Sequence, residues 1–125
     1  MKALALTGVG PYAISEIVKN HIKTLNLKNI CNLLALESSK VGDFLFITNI
    51  SKEDVISGTD GLIVQIKKIS INNQSGYSRS CDETESVVGK VQIELLGYAS
   101  CSNVVETGLM DPSVVILKAR SVYDL

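Results

Sequence analysis

"LIVQIKKISI", residues 62–71, is the stretch whose reading decides the fold. Side chains alternate faces along a strand, so Leu62, Val64 and Ile66 share one side. Ile69 and Ile71 fall on the other parity. The phase slips at Lys67-Lys68, as it does where a β-bulge inserts one residue and bends the strand. Bent strands belong to sheets that curl, so the segment predicts a small closed barrel rather than a doubly wound parallel sheet.

The flanking segments agree with a curled sheet. "FLFIT" (44–48) is apolar on both faces, as a central strand should be. Along residues 90–101, Val91, Ile93, Leu95, Gly97 and Ala99 take the inward parity and Lys90, Gln92, Glu94 and Tyr98 the outward one. The glycine in the middle of that strand again implies curvature. "KALAL" (2–6) is a short strand closed by "TGVGP" (7–11), where Pro11 suits the first turn of a helix. Ile14, Ile17, Val18 and then His21 or Ile22 recur at helical spacing, so the helix should end near Ile22. Residues 24–28 alternate with period two and predict a short strand. "ICNLLALESS" (30–39) fits either a buried strand or a helical turn. Residues 51–61 read as a loop with one helical turn, and the polar run 72–86 as a mobile loop. A last strand, "SVVILKA" (113–119), follows Pro112. The expected fold is α+β: a small mixed, mostly antiparallel β-barrel of about six strands with one early helix, in a single domain over 1–125.

Composition narrows the function. A chain of 125 residues buries roughly two-thirds of its extended surface in one core. Its hydrophobic share is 46%, its aromatic share 5%, and it has no Trp, so the core is aliphatic. Scarce aromatics argue against a base-stacking platform, leaving Tyr12 and Tyr77 as stacking candidates. The net charge of −1 excludes a general polyanion binder but not a local basic groove, because binding follows the local field. Cys31, Cys81 and Cys101 are odd in number and form no CxxC, which fits neither a zinc ribbon nor a disulfide framework and points to the reducing cytosol. "MKALALTGVGP" is too short and broken for a signal peptide. No segment reaches the ~20 apolar residues of a membrane span. A cytoplasmic protein without membrane contact is expected.

Individual residues carry weak signals. His21 stands alone among histidines, so a structural role is its favoured reading. "TGVGP" sets two glycines before a helix N-terminus, where free N–H groups hold anions, but it lacks the Walker spacing and lysine. A tight strand–helix turn is the plainer reading. Asp82, Glu83 and Glu85 lack the spacing of a calcium loop, so no metal and no cofactor is expected. The lysines say more. Lys19 and Lys23 lie four apart, Lys28 follows, and Lys67-Lys68 sit at the bulge. If strand 24–28 lies near strand 62–71, these lysines line one cationic cleft; a solvated lysine face explains the same pattern.

The order of these parts resembles a known group. An early strand, a helix, "KT" opening a short strand, a "VGD" turn before "FLFIT", then "GLIVQIKKISI" are similar to the ASCH domains of the PUA-like superfamily over residues 2–71. The "GD…LFIT…GT.G" run also resembles an archaeal family found largely in methanogens, domain of unknown function 473. The ASCH resemblance implies a pseudo-barrel associated with RNA, and in some members a ribonuclease or an amidohydrolase acting on modified cytidine. Carried over by position, Lys23 and Thr24 match the catalytic signature. Asn26 replaces its acidic residue, Lys28 its Arg, and Gln65 its later Glu. Neither amide takes a proton, so catalysis needs a substitute carboxylate such as Glu37, Asp43 or Asp60. Amides do suit a binding pocket, because they offer donors and acceptors to a base edge.

The reading is therefore an RNA- or nucleotide-binding module. Lys23, Lys28 and Lys67 would meet phosphate, and Thr24 and Gln65 polar edges, in a helix–strand cleft. The alternatives are an ASCH-type hydrolase using Lys23 and Thr24, and an interaction domain that pairs edge strands into a homodimer. Val104, Val105, Leu109 and Met110 of a late loop would supply the dimer contact.

Overall fold

In a computed structural model, which describes residues 2–75, 85–105 and 112–119, the bulge at Lys67 organises the longest pairing. The strand Asp60–Ser75 pairs antiparallel with Glu85–Val105, and the register steps from Ile66↔Ile93 to Lys68↔Gln92, leaving Lys67 as the extra residue. A second irregularity takes Ile63↔Gly97 to Val64↔Leu95, so Leu96 is extra on the partner. Two bulges on opposite strands of one ladder bend it strongly.

In chain order the elements are β1 (Lys2–Leu6), α1 (Pro11–Asn20), β2 (Ile22–Leu27), α2 (Ile30–Glu37), β3 (Phe44–Ile47), a 3₁₀ turn (Lys52–Asp54), β4 (Asp60–Ser75), β5 (Glu85–Val105) and β6 (Ser113–Ala119). The strands order as β2-β5-β4-β3-β1-β6, and the C-terminal part of β5 also pairs with β6. The pairings β4-β3-β1-β6-β5 thereby close a ring, with β2 outside it on the edge of β5. Among the described residues only the β1–β3 pairing is parallel. The chain is mixed α+β with six mostly antiparallel strands, as the alternation predicted.

Both faces of β3 are covered from Leu45 to Ile47, which is why "FLFIT" is apolar there, while Phe44 at its start is exposed. Leu45 and Ile47 face a cluster with Leu6, Ile17, Leu25, Leu36, Val64 and Ile93 beneath the helices. Phe46 faces a second cluster with Ala3, Ala5, Ala99, Cys101, Val115 and Leu117. Val91, Ile93 and Leu95 are buried on the helix-covered face as read, but the extra residue Leu96 shifts the parity, so Ala99 is buried in the second cluster and the inward set of 91–99 does not keep to one face. Gly89 sits where α2 crosses β5: a Cβ there would lie 2.8 Å from Leu33 Cδ2 and 3.0 Å from Leu36 Cδ1.

Several expectations change. Residues 30–37 form a second helix, so the helix is not single. Asn29 starts it, its Oδ1 accepting from the Cys31 N–H at 2.9 Å and the Asn32 N–H at 3.3 Å, which settles an apolar run that periodicity left open. α1 stops at Asn20, because His21 turns left-handed (φ 67) and donates its N–H to the Ile17 carbonyl at 2.8 Å. β4 runs to Ser75 and β5 begins at Glu85, so the predicted loop 72–86 is strand at both ends. Val104 and Val105 belong to β5, paired with Val115 and Val114, rather than to a late loop. Tyr77, Cys81, Asp82, Glu83, Leu109 and Met110 lie outside the described residues. Among the described residues no helix is long and apolar enough to cross a membrane.

Candidate functional site

Strand β2 positions the residues singled out from the sequence, and it places them on two faces. Leu25 and Leu27 are buried, opposite Val91 and Gly89, while Thr24 and Asn26 are exposed, opposite Gln92 and Lys90. Lys23 shares the parity of Leu25 and lies half-buried opposite Ile93. Adjacent residues of a strand point to opposite sides. Lys23 therefore reaches only the first of two spaces beside β2, whereas Thr24 borders both.

The first space is a cleft of about 360 Å³ between the β1–α1 loop and β2. Gly8, Val9, Gly10 and Ala13 form one wall and residues 23–27 the other, with Lys28, Asn29 and Asn32 at the base. Hydrogen bonds clamp the loop. The Gly8 N–H donates to Ile50 O at 2.8 Å and the Val9 N–H to Thr48 O at 3.1 Å. Buried Asn32 pairs with Thr7 as a strand neighbour would: the Thr7 N–H donates to Asn32 Oδ1 at 3.0 Å, and Asn32 Nδ2 donates to Thr7 O at 2.9 Å. Asn32 was not legible as important, since an Asn inside an apolar run has no periodic signature.

The two helix N-termini differ. Asn29 caps α2, whereas α1 starts at Gly10-Pro11 with no side-chain cap and no acidic residue in its first turn. Its leading N–H groups carry the positive end of the helix dipole and lack a side-chain partner. They open beside Ala13, in the cleft that Lys23 and Lys28 also line. Neither lysine has an ion-pair partner among the described residues.

The backbone of β2 is also available. The Leu95 N–H donates to His21 O at 2.6 Å, and the same register makes residues 23, 25 and 27 the ones bonded to β5. Thr24 and Asn26 then aim their N–H and C=O groups away from β5, along the edge that walls the cleft. His21 acts through its backbone, at the corner joining α1 to β2, and its side chain is exposed.

The second space is an open groove of about 530 Å³ on the outer face of β2, β5 and β4, lined by Thr24, Lys67, Lys68, Lys90 and Gln92 among others. Gln65 lines neither space. Its Nε2 donates to Gly42 O at 3.2 Å, and its Oε1 accepts from Lys67 Nζ at 3.3 Å. Lys67 Nζ also lies 3.2 Å from Glu94 Oε1, and Glu94 stands directly across from Gln65. A carboxylate beside Gln65 is thus Glu94, visible in sequence only as an outward residue of β5. Glu37, Asp43 and Asp60 line neither space. Among the described residues no three His, Cys, Asp or Glu side chains converge on a metal position.

Residues 1–115 match the family model described as protein of unknown function, DUF473. The chain belongs to the DUF473 family. A relative, the uncharacterized protein MJ0105 of Methanocaldococcus jannaschii, is 37% identical over 103 residues, which is 81% of this chain. The match spans 65% of that relative's own length. Cleft and groove both fall within the residues that match the DUF473 model.

Proposed function

We propose that this chain is an RNA- or nucleotide-binding module whose ligand sits in the cleft between α1 and β2. The observation that carries the reading is the convergence in that cleft of Lys23, Lys28 and the uncapped N-terminus of α1. Two cations and a helix dipole directed at one volume favour a phosphate there. A base attached to that phosphate would lie along β2, where the free N–H and C=O groups of Thr24 and Asn26 offer a donor beside an acceptor. The closed ring of pairings and the resemblance to ASCH domains support a PUA-like barrel as the architecture behind it. Gln65 and Lys67 lie outside this cleft, on the outer face, where Gln65 holds the Lys67 ammonium.

The hydrolase alternative is less favoured. No Asp or Glu is among the described residues lining the cleft, so no carboxylate of that lining stands beside Lys23 as a general base. Fluorescence anisotropy with labelled uridine oligonucleotides and a random RNA pool tests the binding reading. Binding should weaken with salt, and Lys23→Ala and Lys28→Ala should each lower the salt slope by roughly 0.7, the share of one single-strand phosphate contact. Absence of salt-sensitive binding to any RNA in the pool refutes the proposal.

A further inference from the structure

The outer groove is not used by the cleft, yet it gathers three lysines to the cleft's two. Side chains there form two rows across three strands: Thr24–Gln92–Lys68 and Asn26–Lys90–Ser70. The bulge explains why lysines gather on it. In a regular strand Lys67 and Lys68 would point to opposite sides, one of them into the helix-covered core. With Lys67 as the extra residue, Ile66 is buried, both lysines are exposed, and Ile69 returns to pack on the core. Bulges re-aim side chains in this way at the cost of one unpaired position.

Charge on this face runs against that of the chain. The chain carries a net −1, whereas here three lysines face one carboxylate, Glu94, which Lys67 engages. Lys68 and Lys90 have no ion-pair partner among the described residues. Thr24 lines both the groove and the cleft, so only the width of edge strand β2 separates them. A ligand leaving the cleft over Thr24 reaches Gln92 and then Lys68 or Lys90 without crossing an acidic side chain of these rows.

We propose that the outer face is a second phosphate-contacting surface, and that the ligand is a single-stranded RNA that crosses the edge of β2 from the cleft onto the sheet. This rests on the cleft reading above and extends it from a mononucleotide to a polynucleotide. The groove is lined by no aromatic side chain, so its contribution is electrostatic and insensitive to base identity, while any base preference comes from the β2 edge.

The experiment compares uridine monophosphate with a fluorescein-labelled uridine decamer, each titrated at several salt concentrations. The variants are Lys68→Gln/Lys90→Gln and Lys23→Gln, with folding of each verified by circular dichroism. The double variant should bind the monophosphate as the parent does, lose about tenfold in affinity for the decamer, and show a salt slope smaller by roughly 1.4, two single-strand phosphate contacts. Lys23→Gln should weaken both ligands. Unchanged decamer affinity and slope in the double variant, with Lys23→Gln still impairing binding, overturn the second surface and leave the cleft reading standing. Failure of the parent to bind either ligand overturns both. Equal affinity of the outer face for a polyglutamate of matching charge overturns the assignment of its occupant to RNA.

Discussion

Asn32 offers the sharpest test of how the cleft is built. Its amide satisfies both the N–H and the C=O of Thr7, and the two residues are 4% and 5% exposed. Asn32→Ala strands both backbone groups, each at about 1–3 kcal/mol when water cannot replace the partner. Because Asn32 also lines the cleft, some water reaches the site, which places the expected loss in the lower half of that range, about 2–4 kcal/mol in all. That is a large fraction of the 5–15 kcal/mol typical of a domain, and corresponds to a fall in Tm of roughly 8–16 °C. Asn32→Asp separates hydrogen bonding from shape. The carboxylate still accepts from the Thr7 N–H but sets a second oxygen against the Thr7 carbonyl, whereas the protonated acid restores a donor. Its folded pKa is therefore raised above the ordinary carboxylate value, so the stability it restores is fully present below about pH 4 and is lost as pH rises through the folded value. Urea denaturation followed by circular dichroism at pH values near 4.5 and 7.5 reads both effects. A loss under about 1 kcal/mol for Asn32→Ala, or an Asn32→Asp deficit that does not shrink at low pH, refutes the clamp.

Three further outcomes are expected. Gly61→Ala should destabilise by about 3 kcal/mol or more, because its Cβ would meet the Ile47 carbonyl and lie 2.6 Å from Phe46 Cζ; a urea midpoint near the parent's contradicts this. Asn29→Ala should cost about 1 kcal/mol by uncapping α2, with faster exchange of the Cys31 and Asn32 amides as the local signature. Burial pushes the Cys101 thiol above its ordinary 9.0, opposed by a backbone contact at Asn103. The unfolded thiol then ionises first, so parent stability should fall relative to Cys101→Ala above pH 9.0; parallel pH–stability curves refute it.

Period and parity by themselves determined much of this protein. A fully apolar "FLFIT" and the phase slip at Lys67-Lys68 each report a local backbone state, and each is where it was read; the alternation over 90–101 located a strand but not the bulge at Leu96 that divides its inward set between two faces. Helical spacing likewise located α1, although its end at His21 depends on one left-handed residue that no Gly or Pro announces. The run 30–39 was ambiguous because so short an apolar-rich run buries equally well in either conformation; the Asn29 cap and the face of β5 at Gly89 chose the helix.

What tertiary structure alone decided is which residues share a space. Lys23 and Thr24 are neighbours in sequence and both border the cleft, but only Thr24 also borders the outer groove, because a strand alternates. Lys68, Lys90 and Thr24 are distant in sequence yet border one groove, because β5 lies between β2 and β4. Strand order is set by which pairings close the ring and bury both apolar faces at once, a condition on the whole chain that no short window contains. The loop grip of Asn32 and the meeting of Glu94 with Lys67 follow from that same closure.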